Sequence, residues 1–245
     1  MADIETDRMK EPADKFDSIR EYYDNEYYAH VAKNSRLPWH CRSVGARLGD
    51  LSGSQVLDVA CGTGEWTDFF HEQGASVAGI DLSQKAIDEC RRRFPNGEFC
   101  CGPAESLPFA DARFDLVTCM GSLEHFLDKP GALAEMKRVG KPGAAFLILV
   151  PNAGFLTRRL GLYRGTQQVK AKEDVLELAD WTRLFEAAGL RVIERWRDLH
   201  PLSWSWIAHG SVSSWPLRAA QALALAAWPV RWQYQVYHYC RAAHE

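Results

Sequence analysis

Two kinds of segment alternate along most of the chain. Short runs rich in Val, Ile, Leu and Phe are separated by longer stretches with charged side chains or helical spacing. The runs that favour β-strands are residues 56–59, 77–80, 99–101, 116–119, 144–150 and 190–193. Strands that alternate with helices predict βαβ units with right-handed crossovers, and therefore a mostly parallel α/β sheet that is covered on both faces.

The segment before the sixth run shows helical spacing most clearly. Apolar side chains recur there at i, i+3, i+4 and i+7, as Trp181, Leu184, Phe185 and Ala188. Asp180 is a good N-cap residue and Gly189 is typical of a C′ stop. We therefore predict a helix that begins after Asp180 and ends before Gly189.

The pattern changes after residue 196. Tryptophans stand among serines in residues 202–215, Pro216 opens a predicted helix through Trp228, and residues 232–240 predict a last strand. The segment that joins the sixth and last strands is longer than a turn. It is therefore a candidate cap over a substrate site.

One segment, residues 56–66, combines an apolar run that ends in an acid with two closely spaced glycines. This pattern predicts a strand, a tight turn and a helix. Gly62 and Gly64 lack a Cβ, so the turn can adopt positive φ and present backbone N–H groups to a ligand. A dinucleotide-binding loop would have a third glycine where Thr67 stands, which disfavours a nicotinamide cofactor. A tight turn without a ligand is the alternative.

The loop resembles motif I of the class I S-adenosylmethionine-dependent methyltransferases, in the small-molecule branch that includes the ubiquinone and menaquinone methyltransferases. The resemblance extends over about residues 55–193, and Ala60 replaces the first glycine of the family's loop. It implies a Rossmann-like, doubly wound sheet whose last strand is antiparallel beside the sixth. It also implies an N-terminal segment that folds over the cofactor, with Tyr23 or Tyr28 closing the pocket; packing of these rings on the sheet edge is the alternative.

The resemblance also implies which residues hold the methionine part of S-adenosylmethionine. The turn after the first strand supplies backbone donors, and Asp58 orients that turn through its N–H groups. The end of the fourth strand places two side chains beside the methionine chain. These expected contacts are Asp58, Ala60, Gly62, Gly64, Cys119 and Met120.

The adenosine part is expected at the ends of the second and third strands. Asp81 ends the second strand, where one carboxylate can accept hydrogen bonds from both ribose hydroxyls; an N-cap for the next helix is its alternative role. Leu82 would cover the adenine. The family's acid after the third strand is Pro103 here, so adenine contact falls to the Ala104 backbone, helped by Glu105.

Candidate catalytic chemistry lies just after the fourth strand. His125 is our candidate general base for a hydroxyl acceptor, because the unperturbed pKa of histidine suits proton transfer near neutral pH. A structural histidine bonded to the backbone is the alternative. Some quinone O-methyltransferases bind a metal through Glu-x-x-Glu-His at this place, but Gly121 replaces the first acid, so we predict no metal.

Composition narrows the class of protein. The chain has 245 residues, 47% of them hydrophobic, which suits one domain with decorations. The net charge of −3 gives no basic field for nucleic acid. The start is acidic, unlike a signal peptide, and the longest uncharged apolar run, residues 222–230, is too short to cross a bilayer. Seven cysteines without a Cys-x-x-Cys pair favour reduced thiols in a cytoplasmic protein.

We therefore expect three parts: a helical lid at residues 1–50, a cofactor-binding core at 51–197, and an aromatic cap with the final strand at 198–245. The predicted function is methyl transfer to a small, hydrophobic or aromatic acceptor. Two alternatives stay open: a different group transfer on a membrane quinone, or a binding module without activity. The aromatic residues at 202–230 also motivate a peripheral membrane contact as a hypothesis.

Overall fold

The computed structural model describes residues 16, 18–28, 36–159, 161, 174–209 and 211–243. Part of the predicted lid, residues 1–15, 17 and 29–35, lies outside the described residues. In the described part, seven strands form one sheet in the order β3-β2-β1-β4-β5-β7-β6. The strands are β1 (Gln55–Val59), β2 (Ser76–Asp81), β3 (Glu98–Cys101), β4 (Phe114–Met120), β5 (Gly140–Pro151), β6 (Leu190–Arg197) and β7 (Gln235–Ala242).

The predicted fold class is confirmed. Strands β1 to β5 pair in parallel, and β7 pairs antiparallel with both β5 and β6. Each of the six apolar runs becomes a strand. The last strand begins at Gln235 rather than at residue 232, because Val230–Trp232 forms a 3-10 turn in which the Trp232 N–H donates to the carbonyl of Pro229 at 2.9 Å.

Helices connect the strands and cover the sheet. They are α1 (Trp39–Gly45), α2 (Glu65–Glu72), α3 (Gln84–Arg93), α4 (Lys129–Val139), α5 (Leu156–Arg159), α6 (Leu178–Ala187), α7 (Trp204–Ile207) and α8 (Trp215–Ala227). Before α1, residues 18–22 are helical and continue into a π-helical turn at Tyr23–Tyr27. Among the described residues, no helix is both long and apolar enough to cross a membrane.

The helix predicted between Asp180 and Gly189 exists as α6, but the predicted N-cap is wrong. The helix begins at Leu178, because the Glu177 carbonyl already accepts the N–H groups of Asp180 and Trp181. Asp180 lies instead in the first turn, where it pairs with Arg183. Gly189 follows the helix with φ of +75°, as its predicted stop role requires.

The core consists of two apolar clusters on opposite faces of the sheet. Successive side chains of a strand point to opposite faces, and β5 divides accordingly. Phe146, Ile148 and Val150 join one cluster, whereas Leu147 and Leu149 join the other. Both faces are buried, so the central strands are apolar at nearly every position, as in parallel sheets generally.

The strand order determines where a ligand can bind. The chain leaves β1 toward β2 on one side, while β4 lies on the other side of β1. At such a switch point, the loops that follow neighbouring strands diverge and leave a crevice at the carboxyl ends. The conspicuous loop of residues 60–64 follows β1 directly, so it borders this crevice.

Candidate active site

The loop after β1 turns through backbone conformations that favour glycine. Gly62 and Gly64 have φ of +53° and +85°. Ala60 also has a positive φ, +58°, where an L-residue is strained by about 1 kcal/mol. A glycine would adopt this conformation freely, so Ala60 keeps the loop shape at the expense of local strain. The loop stays open, and Ala60 lines the cavity beside it.

Asp81 holds this loop in place from the end of β2. Its Oδ2 accepts the Gly62 N–H at 2.9 Å and its Oδ1 accepts the Ser83 N–H at 2.8 Å. Burial raises the pKa of Asp81 to about 6, although the two backbone donors oppose that shift. Ser83, not Asp81, is the N-cap of α3, since its hydroxyl accepts the Ala86 N–H. The N-cap alternative for Asp81 is therefore wrong.

Asp58 lies beneath the loop rather than in contact with its N–H groups. Its hydrogen bonds in the described part of the chain come from the hydroxyls of Thr118 at 2.7 Å and Thr67 at 3.3 Å. Burial raises its pKa to about 7. The predicted direct role, orienting the loop through its N–H groups, is thus wrong. Asp58 joins β1 to β4 and α2, because β4 runs beside β1 and places Thr118 opposite it.

A cavity of about 260 Å³ occupies the crevice at the carboxyl ends of the strands. Its lining includes seven of the sequence-predicted site residues: Tyr23, Ala60, Asp81, Leu82, Ala104, Glu105 and His125. Five other predicted residues are absent from the lining: Asp58, Gly62, Gly64, Cys119 and Met120. Cys119 is fully buried in the core, and Met120 packs on the opposite cluster. The buried side chain of Cys119 therefore does not line this cavity.

Residues that the sequence analysis did not assign to the site complete the wall. Gly121 and Ser122 follow β4 and take the place expected for Cys119 and Met120. Tyr234 and Gln235 enter at the start of β7, where Gln235 pairs with Pro151 at the end of β5. Tyr234 and Gln235 could have been found from the sequence, because the predicted last strand is antiparallel, and such a strand begins at the carboxyl end of β5.

Glu105 connects two segments that line the cavity, the one after β3 and the one before α4. Its Oε1 accepts the Leu127 N–H at 3.0 Å and the Asp128 N–H at 3.2 Å. The segment after β3 is thereby tied to the start of α4. One side of the Glu105 side chain still lines the cavity, so it can both hold the wall and meet a ligand.

The N-terminal segment lies over the cavity, and its π-helical turn decides which rings face inward. The Tyr28 N–H donates to the Tyr23 carbonyl at 2.9 Å, an i→i+5 bond. Residues five apart lie far apart around an α-helix, but this wider turn brings the Tyr23 and Tyr28 rings to 6.1 Å. Both rings line the cavity. A Cβ at Gly62 would lie 2.9 Å from the Tyr28 hydroxyl, so a larger residue there would displace the Tyr28 ring.

Polar contacts fasten this segment to the loop after β2. The Arg20 Nε donates to the Leu82 carbonyl at 3.2 Å, and the Ser83 hydroxyl bonds to Asp24. The Lys85 ammonium donates to the Asp24 carbonyl at 2.7 Å. The segment is thus joined to the loop that also carries Asp81 and Leu82.

His125 lies on a 3-10 turn, Leu123–His125, that projects into the same cavity. Its Nδ1 is buried and has no hydrogen-bond partner among the described residues. Among the described residues, the backbone therefore does not hold the ring through Nδ1. In the part of the chain that the structure describes, no three His, Cys, Asp or Glu side chains converge on a point that could hold a metal ion.

Residues 57–148 match the family model described as a methyltransferase domain. The demethylmenaquinone methyltransferase of Renibacterium salmoninarum is 36% identical over 143 residues, which are 58% of this chain and 59% of that protein. The chain spans about three fifths of the length of the curated relatives it matches.

Solved structures show the same fold. The complex of the Haloferax volcanii Trm112 methyltransferase activator and a putative methyltransferase matches with a TM-score of 0.65 and 22% identity, over 84% of this chain and 90% of that one. The Burkholderia thailandensis 1,6-didemethyltoxoflavin-N1-methyltransferase, solved with its substrate and S-adenosylhomocysteine, matches with a TM-score of 0.60 and 18% identity, over 93% and 86%. Residues 57–148 thus match a methyltransferase domain, and the chain is similar over part of its length to methyltransferases that include a demethylmenaquinone methyltransferase.

Proposed function

We propose that this protein transfers a methyl group from S-adenosylmethionine to a small, lipophilic acceptor. The observation that carries the proposal is the pairing of Asp81 with the loop after β1. One buried carboxylate holds a strained, glycine-containing loop and lines the cavity at the sheet's switch point. A turn without a ligand would need neither the cavity nor the buried carboxylate, whose desolvation is costly.

The residues present fit the cofactor. Asp81 has the two acceptor oxygens that vicinal ribose hydroxyls need, and Leu82 offers an apolar side chain for the adenine. The bare backbone near Ala60 suits the methionine part. Ala104 and Glu105 bound the adenine end, and Tyr23 closes the cavity from the lid.

In our proposal, five residues support the cofactor site without lining the cavity. They are Asp58, Gly62, Gly64, Cys119 and Met120. Gly62 and Gly64 shape the loop, and Asp58 fastens the strand beneath it. Cys119 and Met120 support the wall at the end of β4. We also propose the division into lid, core and cap at residues 1–50, 51–197 and 198–245.

The bound cofactor supplies a methyl group on a sulfonium, which an acceptor attacks in line. The protein then has to hold two reactants at near-attack distance and exclude water, which supplies much of the acceleration in such reactions. His125 is the proposed base, because the turn that carries it lines the cavity and a neutral imidazole can accept a proton from a bound hydroxyl group.

The acceptor side of the cavity is aromatic and apolar. Phe16, Tyr22, Phe126, Leu127 and Tyr234 line it, and they favour a flat, uncharged ring system. The Renibacterium relative is named for demethylmenaquinone, so a hydroxylated naphthalene or related phenol is the acceptor class that we propose. We further propose a cytoplasmic protein that meets a membrane surface to reach such a molecule.

The proposal is tested first by titration calorimetry with S-adenosylmethionine. We expect micromolar binding to the wild type and at least about tenfold weaker binding to Asp81→Asn, since a hydrogen bond to a charged group contributes about 1.5–3 kcal/mol. Asp115→Asn is the matched control, because Asp115 is an acid at the start of β4 that binds the Gln55 N–H and Lys141. Equal loss in both variants, or no binding by the wild type, contradicts the proposal.

A second assay identifies the transferred group. The wild type is incubated with S-adenosylmethionine and a panel of naphthols and hydroquinones, and the products are analysed by mass spectrometry. We expect an acceptor with one added methyl group together with S-adenosylhomocysteine. An acceptor that gains a different group would support the alternative group transfer. His125→Gln should bind the cofactor normally and turn over more slowly.

A further inference from the structure

The solvent side of α8 is apolar, the reverse of an ordinary surface helix. Leu217 and Leu223 are 74% and 65% exposed, although surface helices usually turn their polar face to water. The exposed face carries one polar side chain, Gln221, at its edge. Its other exposed members are Pro216, Leu217, Ala220, Leu223, Ala224 and Ala227. We call these six residues, with Trp204 and Val212 beside them, the apolar cap face.

Tryptophan and arginine side chains border this face. Trp204 is 66% exposed and meets the Trp215 ring edge-on at 5.2 Å. The Arg218 guanidinium lies 4.4 Å from the centre of the Trp206 ring and donates to the Trp206 carbonyl. Tryptophan and arginine are the side chains that suit the boundary between lipid tails and headgroups.

The charge of this region differs from that of the chain as a whole. Residues 199–234 contain no Asp or Glu and two arginines, Arg218 and Arg231, although the whole chain has a net charge of −3. Arg231 is exposed and lies over the Trp232 ring at 5.2 Å. An acid-free surface with arginines is complementary to negatively charged headgroups.

We infer that the apolar cap face docks on an anionic lipid surface. The helix α8 has 13 residues, too few to cross a bilayer, and its apolar side chains suit a helix that lies in the interface plane. A protein partner would be expected to meet a polar rim around an apolar centre. Here the segment that carries the face brings arginines and tryptophans but no acid, which fits anionic headgroups better.

The docking face is connected to the cavity by hydrogen bonds. Gln233 is buried, and its Nε2 donates to the Leu225 carbonyl of α8 at 2.6 Å and to the Trp228 carbonyl at 3.2 Å. Asn152, at the end of β5, donates to the Gln233 carbonyl at 2.9 Å. The next residue, Tyr234, lines the cavity. The inference rests on the proposed function, because a lipophilic acceptor is dissolved in the membrane. Docking by this face would bring the acceptor end of the cavity next to that membrane.

Vesicle sedimentation tests the inference with the full chain. Vesicles of phosphatidylcholine alone are compared with vesicles that also contain phosphatidylglycerol. We expect the wild type to sediment with the anionic vesicles. The double variant Leu217→Glu/Leu223→Glu should bind them at least about tenfold more weakly, because charges cannot enter the apolar layer. Ile193→Glu is the matched control, since Ile193 is an exposed apolar residue on β6, outside the face.

Arg231→Gln separates the headgroup contribution from the apolar one. An arginine near an anionic surface contributes about fivefold in affinity. We therefore expect Arg231→Gln to weaken binding to the phosphatidylglycerol vesicles by about this factor and to leave binding to phosphatidylcholine unchanged.

Three results would overturn the inference. They are a wild type that stays in the supernatant with anionic vesicles, equal binding by wild type and double variant, and a concentration-dependent dimer that the double variant abolishes, which would make the face an interface between copies. Calorimetry with S-adenosylmethionine keeps the two proposals apart. The double variant should bind the cofactor as the wild type does, and a wild type that binds vesicles but no cofactor contradicts the proposed function alone.

Discussion

The cofactor edge of the core and the segment after β6 are held in place by different physical means, and in the described structure the second region lines the cavity through Tyr234 and Gln235. At the cofactor edge, buried carboxylates and bare backbone are locked together, as Asp81 locks the loop at Gly62. At the cap, the buried Asn152 and Gln233 join the segment to β5, and α8 turns an apolar face outward. The family model covers residues 57–148, which includes the first region and none of the second.

The contrast suggests a division of labour. A cofactor that is the same throughout a family requires the same kinds of hydrogen-bond donors and acceptors each time. We propose that an acceptor that differs between relatives is recognised in part by residues outside the range 57–148, as by Phe16, Tyr22 and Tyr234 here. Changes at the two regions should therefore have separable effects, and three experiments test this separation.

The largest effect is expected from Gly64→Ala. The φ of Gly64 is +85°, and an added Cβ would lie 3.0 Å from the Phe94 ring and 3.1 Å from the Cys90 sulfur. Backbone strain and crowding together should lower the free energy of unfolding by about 2–3 kcal/mol and weaken S-adenosylmethionine binding at least about tenfold. Urea unfolding and calorimetry measure the two quantities.

Gly143→Ala is the matched control for that change. Gly143 also has a positive φ, +79°, but an added Cβ there meets nothing within 4 Å. It should lower the free energy of unfolding by about 1 kcal/mol through strain alone and leave cofactor binding unchanged. If both variants lower the free energy of unfolding equally, the crowding around Gly64 costs no energy. The loop would then be more flexible than the structure implies.

The second effect is a pair of opposite pH dependences at the cofactor edge. The pKa of Asp58 and of Asp81 is raised by burial, to about 7 and about 6, above the ordinary value of 3.8. The folded state therefore holds protons that the unfolded chain releases, and the free energy of unfolding falls as pH rises from about 4 through these values. Urea unfolding between pH 4.5 and 7.5 measures this fall.

Cofactor binding should change with pH in the other direction. The ribose hydroxyls donate best to the charged carboxylate of Asp81, so S-adenosylmethionine affinity should rise as pH rises through about 6. Asp58→Asn is the control, since it should flatten the stability profile and keep the pH dependence of binding. A stability that is constant over this pH range would show that neither carboxyl group is buried as the structure indicates.

The smallest effect of the three is expected from Asn152→Ala, which acts on the cap side. Asn152 is buried, donates to the carbonyls of Arg231 and Gln233, and accepts the Gly154 N–H. Loss of these bonds should lower the free energy of unfolding by about 2 kcal/mol and raise the KM for the acceptor several-fold, because Tyr234 loses its support.

Cofactor affinity distinguishes this role from a general loss of structure. Asn152→Ala should bind S-adenosylmethionine within about twofold of the wild type, since the bonds of Asn152 do not touch the loop after β1. If cofactor affinity falls together with acceptor affinity, the two sides of the cavity act as one unit, and the division of labour proposed above is wrong.

Much of the architecture could be predicted from sequence because its signals are local. The apolar runs determine the strands, and Gly62 and Gly64 indicate a turn with positive φ, so the position of the cofactor crevice followed from the pattern. The wrong prediction of Asp180 as the N-cap also has a local cause. Several neighbouring residues could begin that helix, and Glu177 is the one that does.

Other features depended on contacts between segments far apart in the chain. Asp58 was expected to orient the loop, but the parallel register of β1 and β4 places Thr118 against it, 60 residues away. Burial of Cys119, and its replacement in the wall by Gly121 and Ser122, depends on which face of β4 meets the core.

The sequence by itself determined the order of strands and helices, the loop after β1 and the acid at the end of β2, because each arises from spacing and turn chemistry within a few residues. Only the tertiary structure decided which groups meet. The π-helical turn aligned Tyr23 with Tyr28, and the antiparallel β7 delivered Tyr234 to the cavity. The outward, apolar side of α8 was decided in the same way, since a helix acquires an inner and an outer face only when it packs on the rest of the fold.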